Sequence, residues 1–241
     1  MAKRPAPNAK QKRVLDAVNA CADRYVIGID EVGCGPCAGP LVVAGVLADK
    51  SWDHDLARDS KKLSAKKREK GHDTFLHHTP AGVYAVFLAS YEAHEIDNIT
   101  FRAAHYELTR LVATSLLTLC RAPVVLDGEL FPALTGIPQE LIFNMVSADA
   151  IVPTSGAASV IAKVTRDAAM DIYDDIFPGY AFKRNKGYLT AAHLAGLKAQ
   201  GASFIHRFSY KPVQNFVVHS EAWQSRRRQI ETRAWTNWLL R

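Results

Sequence analysis

The sequence predicts an α/β fold with a mixed sheet, antiparallel in its first three strands, then parallel, and flanked by helices. The first observation is that three short apolar runs precede the long helical patterns, with only the lysine-rich segment 64–75 between the second and the third. These runs are residues 25–30, 40–48 and 82–89. The second observation is that apolar residues at helical spacing over 100–120 lead directly into the apolar run 123–127. A helix that leads directly into a strand is typical of the connection between two parallel strands.

The remaining elements complete one large domain. Residues 141–146 predict a fifth strand, and residues 155–176 and 190–200 predict helices, the latter ended by Gly201. Ser64 is the expected N-cap of the lysine-rich helix. We expect three regions in the 241-residue chain, namely a basic N-terminal extension, a domain with a helical C-terminal part, and a basic tail that holds three tryptophans. Their bounds are 1–24, 25–212 and 213–241.

Composition narrows the class of protein. Hydrophobic residues make up 48% of the chain and charged residues 22%, values typical of a globular protein rather than a disordered or fibrous one. The longest apolar stretches, 39–48 and 82–89, are far shorter than the roughly 20 residues of a spanning helix. The basic N-terminus is followed by no apolar signal-peptide core. We therefore expect no membrane segment and a cytoplasmic location.

The positive charge of the chain is concentrated in a few places. The formal net charge is +6, and the segments 1–24 and 221–241 contribute +4 and +3, which leaves −1 for the residues between them. Within that nearly neutral part, residues 58–70 hold seven basic and two acidic side chains, and Lys183, Arg184 and Lys186 form a second cluster. Such clusters are either solvated helix faces or contacts to a phosphate backbone.

Acidic side chains follow several of the predicted strands. Asp30 and Glu31 close the first strand before a glycine-rich turn, Asp127 ends the strand 123–127, and Asp149 follows the fifth strand. Neighbouring strand residues face opposite sides, so Asp30 and Glu31 serve one site only if the strand ends there. Carboxylates gathered at one sheet edge repel each other unless a cation lies among them. The pattern predicts a site for hard divalent cations such as Mg²⁺.

The turn after the first strand carries a resemblance to a known family. Asp30-Glu-Val-Gly-Cys-Gly-Pro-Cys-Ala-Gly-Pro40 is similar to the opening motif of ribonuclease HII, and residues 25–212 resemble that family throughout. Further segments recur in the family's order. They are Asp59-Ser-Lys-Lys-Leu-Ser64, Leu126-Asp-Gly128, Ala157-Ala-Ser-Val-Ile-Ala-Lys-Val-Thr-Arg-Asp167, Lys186-Gly-Tyr188 and His206-Arg-Phe-Ser-Tyr-Lys-Pro212.

The resemblance implies a ribonuclease H-like fold and a nuclease. The family cuts RNA in RNA–DNA hybrids and ribonucleotides embedded in duplex DNA, leaving a 5′-phosphate and a 3′-hydroxyl. It implies a catalytic site with two Mg²⁺ or Mn²⁺ ions, one activating water and the other stabilising the leaving oxygen. The implied catalytic and metal-binding residues are Asp30, Glu31, Asp127 and Asp149. We expect the enzyme to be a monomer.

The resemblance also implies how the substrate is held. Backbone groups of the turn Gly33-Cys34-Gly35 would read the 2′-hydroxyl that distinguishes RNA from DNA, and glycine allows that close approach. Tyr188 would stack on the following sugar, while Lys61 and Lys62 would hold phosphates. Ser159 and Lys163 lie on one predicted helix face, from which they support the site, whereas Asp167 is interpreted as structural.

Two positions depart from the family pattern. The central arginine of the turn is Cys34 here, which removes a charged phosphate contact and predicts weaker substrate binding. The lysine that usually precedes the fourth acid by two positions is Ser147.

Two alternatives stay open from the sequence. Cys34-Gly-Pro-Cys37 matches the dithiol pattern of thioredoxin-like oxidoreductases, which requires a helix after the pair. A nucleic-acid-binding module with decayed catalysis is the other alternative.

Overall fold

The structure is a computed structural model, and it describes residues 4–128 and 133–217. Most of the predicted tail, including Trp223, Trp235 and Trp238, lies outside the described residues.

The described chain contains a five-stranded mixed sheet, as the sequence predicts. The strands are β1 (Tyr25–Val32), β2 (Leu41–Asp49), β3 (Val83–Tyr91), β4 (Val124–Asp127) and β5 (Ile142–Met145). Their order across the sheet is β3-β2-β1-β4-β5. The first three strands pair antiparallel, and β4 and β5 are parallel to β1. The predicted fold class is confirmed.

The helices cover both faces of the sheet. They are α1 (Ala9–Ala20), α2 (Ala65–His77), α3 (Ala93–Ile99), α4 (Phe101–Leu117), α5 (Ala148–Ile151), α6 (Pro153–Ile176), α7 (Phe182–Asn185), α8 (Ala191–Gln200) and α9 (Lys211–Gln214). The caps follow the sequence, since the Ser64 side chain accepts from the Lys67 N–H and α8 ends at Gly201. No helix among the described residues is long and apolar enough to cross a bilayer.

Strand β2 is buried on both faces because a helix packs against each. Val43 and Leu47 join the cluster that includes Leu108 and Val112 of α4. The alternate residues Val42, Ala44 and Val46 pack in a second cluster with Ala157, Ala158 and Ile161 of α6. The small residues of α6 let this helix lie close to the sheet. The strand therefore reads as a continuous apolar run, as strands buried on both faces do.

A third apolar cluster joins the C-terminal helices to the turn after β1. Phe182 of α7, Leu197 of α8 and Met170 of α6 pack there with Cys37 and Ala38. Ala38 also forms a β-bridge with His206. The predicted C-terminal helical part is thus tied to the glycine-rich turn beside the acidic residues.

The basic N-terminal segment forms part of the packed structure. Helix α1 begins at a capping box between Asn8 and Gln11, and the Gln11 side chain donates to the Val146 carbonyl at 2.9 Å. Its buried Val18 packs in a cluster with Val125 and Met145. The sequence analysis treats residues 1–24 as a basic N-terminal extension outside the domain. We propose that α1 belongs to the domain.

The packing of α1 predicts a loss of stability when its buried side chain is shortened. Val18→Ala removes two buried methylene equivalents and should lower the free energy of unfolding by about 2 kcal/mol. Urea denaturation measures this change. Lys12→Ala, on the exposed face of the same helix, should change it by less than about 0.5 kcal/mol. Equal values for the two variants would show that α1 does not pack on the sheet.

Candidate active site

Three acidic side chains meet at the carboxyl end of β4. Asp30 lies in β1, Asp127 is the last residue of β4, and Asp149 lies in the first turn of α5. One carboxylate oxygen from each lies within 4.8 Å of the others. Because Ile29 pairs with Leu126 in the parallel ladder, the residues that follow them, Asp30 and Asp127, are neighbours at the sheet edge.

A sharp turn brings Asp149 to the other two acids. Ser147 adopts a left-handed conformation (φ 56°), and the chain passes from β5 directly into α5. The Ala148 N–H donates to Asp127 Oδ1 at 3.3 Å, which fixes the start of the helix against that carboxylate. Asp149 therefore reaches the site from a helix, whereas the sequence analysis expected a strand end.

Burial makes the three carboxylates difficult to ionise together. It raises the pKa of Asp30 well above its ordinary value, with the charge of Glu31 as the next cause. Burial also raises the pKa of Asp127. Burial, followed by the charge of Asp127, raises the pKa of Asp149 to about 6. Three closely spaced carboxylate oxygen donors, two of them on buried residues, fit a hard divalent cation, which would remove their repulsion.

Glu31 lies outside this group of three. The sequence analysis expected β1 to end at the two acids, but its pairing with β2 continues to Val32, so adjacent side chains face opposite sides of the sheet. The Glu31 carboxylate instead accepts from the Cys34 thiol at 3.5 Å and lies 3.5 Å from His105 Nε2 of α4. The structure brings together three of the four predicted acids.

The lysine motif lies beside Asp149. Residues Ser60–Lys62 form a short 3-10 turn capped by Asp59, whose side chain accepts from the Lys61 N–H. The charge of Asp59 raises the pKa of Asp149 and that of Lys61 lowers it, although both effects are smaller than that of burial. Lys62 is 68% exposed and lies 3.6 Å from the Asp59 carboxylate. The two predicted phosphate-binding lysines thus stand in solvent at the rim of the acidic site.

Ser159 on α6 joins the lysine turn to the carboxylates. Its hydroxyl lies 3.0 Å from that of Ser60, and it also hydrogen-bonds to Asp30, which partly offsets the raised pKa of that carboxyl. Lys163, predicted to support the site as well, forms an ion pair with Asp167 at 2.7 Å instead. The structural interpretation of Asp167 agrees with that pair.

Close contacts at two glycines shape the glycine-rich turn. Gly33 has φ +112°, and a Cβ there would lie 2.5 Å from the Pro40 carbonyl oxygen. A Cβ on Gly35 would lie 3.2 Å from the ring of Tyr188, which is 51% exposed. The structure therefore places the half-exposed Tyr188 ring directly against the turn.

Two buried arginines hold the carbonyl side of this turn. Arg166 donates to the carbonyls of Pro40 (2.8 Å), Ala38 (3.0 Å) and Lys186 (2.9 Å). Arg207 donates twice to the Gly39 carbonyl, at 3.1 and 3.0 Å, and once to the Tyr210 hydroxyl. That hydroxyl donates to the Cys34 carbonyl at 3.1 Å. With these carbonyls bound from inside the protein, the backbone of the turn is held in one conformation.

Comparison with known proteins identifies the family. The model of the family "Ribonuclease HII" matches residues 27–213. The chain belongs to the ribonuclease HII family. Ribonuclease HII of Ligilactobacillus salivarius is 38% identical over 197 residues, which cover 80% of this chain and 72% of that protein. The chain is accordingly an endoribonuclease, a hydrolase that acts on RNA–DNA hybrids.

Solved structures show the same fold. Ribonuclease H2 of Pyrococcus horikoshii OT3 matches with a TM-score of 0.62 at 20% identity, covering 80% of this chain and 96% of that one. Bst-RNase HIII, solved in complex with Mn²⁺, matches with a TM-score of 0.58 at 15% identity, covering 83% of this chain and 76% of that one.

The geometry of the cysteine pair does not favour the thioredoxin-like alternative for this ribonuclease HII. Cys34 and Cys37 are both free thiols. Burial raises the pKa of both, to about 11 for Cys37, whereas a redox dithiol needs a lowered pKa. The chain after Cys37 runs into strand β2 rather than a helix.

Sequence reasoning missed several residues of this site. His105 lies on a helix whose apolar pattern gave no sign of a contact to Glu31. Arg166 and Arg207 were quoted within motifs but received no role. A signal for Arg166 was present, because it occupies a position in a helix otherwise rich in small buried residues. A charged side chain at such a position needs several polar partners.

The raised pKa of Asp149 predicts how the metal-free enzyme responds to pH. In the folded protein Asp149 keeps its proton up to about pH 6, whereas in the unfolded chain it loses the proton near its ordinary pKa of about 4. The free energy of unfolding therefore falls as pH rises from about 4 through 6. With chelator present, Asp149→Asn should stabilise the protein by about 2 kcal/mol at pH 8 and by little at pH 4. Urea denaturation at both pH values tests this. Asp16→Asn, on an exposed face of α1, is the control, and an equal gain for Asp149→Asn at both pH values would contradict the prediction.

Proposed function

We propose that this ribonuclease HII is metal-dependent and cuts at single ribonucleotides in duplex DNA as well as in longer hybrids, leaving a 5′-phosphate and a 3′-hydroxyl. The observation that carries the proposal is the group of three carboxylates within 4.8 Å, whose mutual repulsion and burial disfavour their joint ionisation. Three carboxylates held together at the carboxyl end of the sheet are suited to binding a cation.

Asp30, Asp127 and Asp149 would hold the metal, with Glu31 as the fourth ligand. A pair of Mg²⁺ or Mn²⁺ ions bound here would supply an activated water and stabilise the leaving 3′-oxygen. The Mn²⁺ complex of the structurally similar Bst-RNase HIII supports this choice of metal. The contacts of Glu31 to Cys34 and His105 are each 3.5 Å long, so they are weak enough to be exchanged for a cation.

The residues around the acids would bind the substrate. Lys61 and Lys62 would reach phosphates as point charges, since both lie at the exposed rim of the site and the ion pair of Lys62 with Asp59 is solvent-exposed. The amides of Gly33, Cys34 and Gly35 would read the 2′-hydroxyl, because the carbonyl of Cys34 is already bound by Tyr210 on the inner side. Tyr188 would stack on the next sugar from its position against Gly35.

The remaining proposals concern the setting of the reaction. An enzyme that acts on ribonucleotides in DNA works where DNA is replicated and repaired, so we propose a cytoplasmic location and a role in both processes. We propose that residues 25–212, together with α1, form the catalytic domain, and that the enzyme acts as a monomer. Sedimentation at micromolar concentration tests the oligomeric state.

Removing one carboxylate should stop cleavage. Asp127→Asn keeps the shape of the side chain but deletes a charge at the centre of the group, and we expect a fall in kcat of at least about 1000-fold. The measurement uses a duplex carrying one ribonucleotide, labelled at its 5′ end, with Mg²⁺, with Mn²⁺ and with chelator.

The matched control is Asp175→Asn, the same exchange at an exposed position near the end of α6, which should cleave like the unaltered enzyme. Substantial residual activity in Asp127→Asn would refute the metal assignment. Binding of the duplex by the unaltered enzyme without any cleavage would favour the nucleic-acid-binding module instead.

Restoring the family's arginine should strengthen substrate binding. Cys34→Arg adds a charged phosphate contact worth about 1.5–3 kcal/mol, so the KM for the same duplex should fall at least about tenfold. Cys21→Arg adds the same charge beyond the opposite end of β1 and should leave KM nearly unchanged. A KM that is the same in Cys34→Arg and the unaltered enzyme would show that the turn does not face the phosphate backbone.

A further inference from the structure

Two buried histidines lie behind the glycine-rich turn and belong to no part of the reaction described above. His193 of α8 is fully buried and His206 is 1% exposed. Their Nε2 atoms are 2.9 Å apart. Both rings pack among Tyr180 and Phe182, in an apolar environment where a polar pair needs a reason to be present.

The hydrogen bonds of the pair determine the position of each proton. The Ser203 backbone N–H, which can only donate, points to Nδ1 of His206 at 2.9 Å, whereas the Ser203 carbonyl lies farther from that nitrogen, at 3.2 Å, so we assign Nδ1 as the acceptor without a proton. The neutral His206 ring therefore donates from Nε2 to Nε2 of His193. His193 in turn donates from Nδ1 to the Tyr188 carbonyl at 3.0 Å. Burial lowers the pKa of His206 to about 3 and also lowers that of His193, so both rings are neutral near pH 7.

This chain of hydrogen bonds ends on the residue that stands against the turn. The Tyr188 carbonyl also accepts from the Thr190 N–H at 2.8 Å, and the preceding Gly187 carbonyl accepts from the Cys37 N–H at 3.0 Å. The Tyr188 ring itself is half exposed and packs on Gly35. The placement of the ring against the turn therefore depends on how firmly the Tyr188 backbone is held.

We propose that His193, held in one tautomer by His206, is a positioning residue that fixes Tyr188 against the turn and so sets the efficiency of cleavage at a ribonucleotide. The proposal rests on the substrate role of Tyr188 proposed above. A donor that is lost from the Tyr188 carbonyl lets the ring shift, and a displacement of about 1 Å at a positioning group can cost up to about 100-fold in rate.

The test is a double-mutant cycle on the full-length enzyme. His193→Phe keeps an aromatic ring beside Tyr180 and Phe182 but removes both hydrogen bonds, while His193→Asn places an amide N–H near the position of Nδ1. For a duplex with one ribonucleotide, we expect His193→Phe to lower kcat/KM about tenfold or more and His193→Asn to recover most of it. In the background of Tyr188→Ala, His193→Phe should have no further effect on kcat/KM, although it should lower Tm equally in both backgrounds.

Two different results would overturn the proposal, and they distinguish the role of His193 from that of Tyr188. Equal losses in kcat/KM with and without Tyr188 show that His193 acts only through stability, and the substrate role of Tyr188 survives. A Tyr188→Ala enzyme as active as the original removes that substrate role itself. If His193→Phe does not fold, His206→Gln, which retains a donor toward His193, and His206→Leu, which does not, form the same cycle. Activity that does not differ between these two variants also overturns it.

Discussion

The site depends on the repulsion among three carboxylates that the fold forces together. The pairing of Ile29 with Leu126 sets Asp30 beside Asp127, and the left-handed turn at Ser147 delivers Asp149. Each placement is made by the backbone, so the three side chains start from neighbouring positions at the end of the sheet. Repulsion among the carboxylates lowers the free energy of unfolding. A bound cation would remove that repulsion and raise the free energy of unfolding again.

A second constraint operates on the other side of the turn. Arg166 and Arg207 are both buried, and burial, followed by the charge of Arg207, lowers the pKa of Arg166 to about 10, so it remains protonated at neutral pH. Their donors go to the carbonyls of Ala38, Gly39 and Pro40. Removing either guanidinium would leave these carbonyls buried and unpaired, at about 1–3 kcal/mol each. The turn is therefore rigid because its polar groups are satisfied from within the protein.

The sequence predicted the sheet well because its strands are short apolar runs that glycine, proline or acids interrupt. It also predicted that Asp30, Asp127 and Asp149 converge, although Asp149 arrives from the first turn of α5 rather than from a strand end. It did not predict the separation of Glu31, because the end of β1 is decided by pairing with β2, which continues to Val32. Helix α1 was missed for a similar reason, since one buried Val18 among many polar residues gives a weak pattern. The sequence did not predict the roles of His105, His193 and Arg207, because each role depends on contacts between segments that are distant along the chain.

The replacement of the family's arginine by Cys34 separates two properties of the turn. Its backbone is fixed by Tyr210 on the Cys34 carbonyl and by the arginines on the residues that follow, and none of these bonds involves the side chain of residue 34. The proposed reading of a 2′-hydroxyl by the backbone amides would therefore depend little on which side chain stands there. The proposed affinity for the phosphate backbone would depend on it, because a thiol with a raised pKa carries no charge. The exchange should thus change how tightly a duplex is held while leaving unchanged which sugar is chosen.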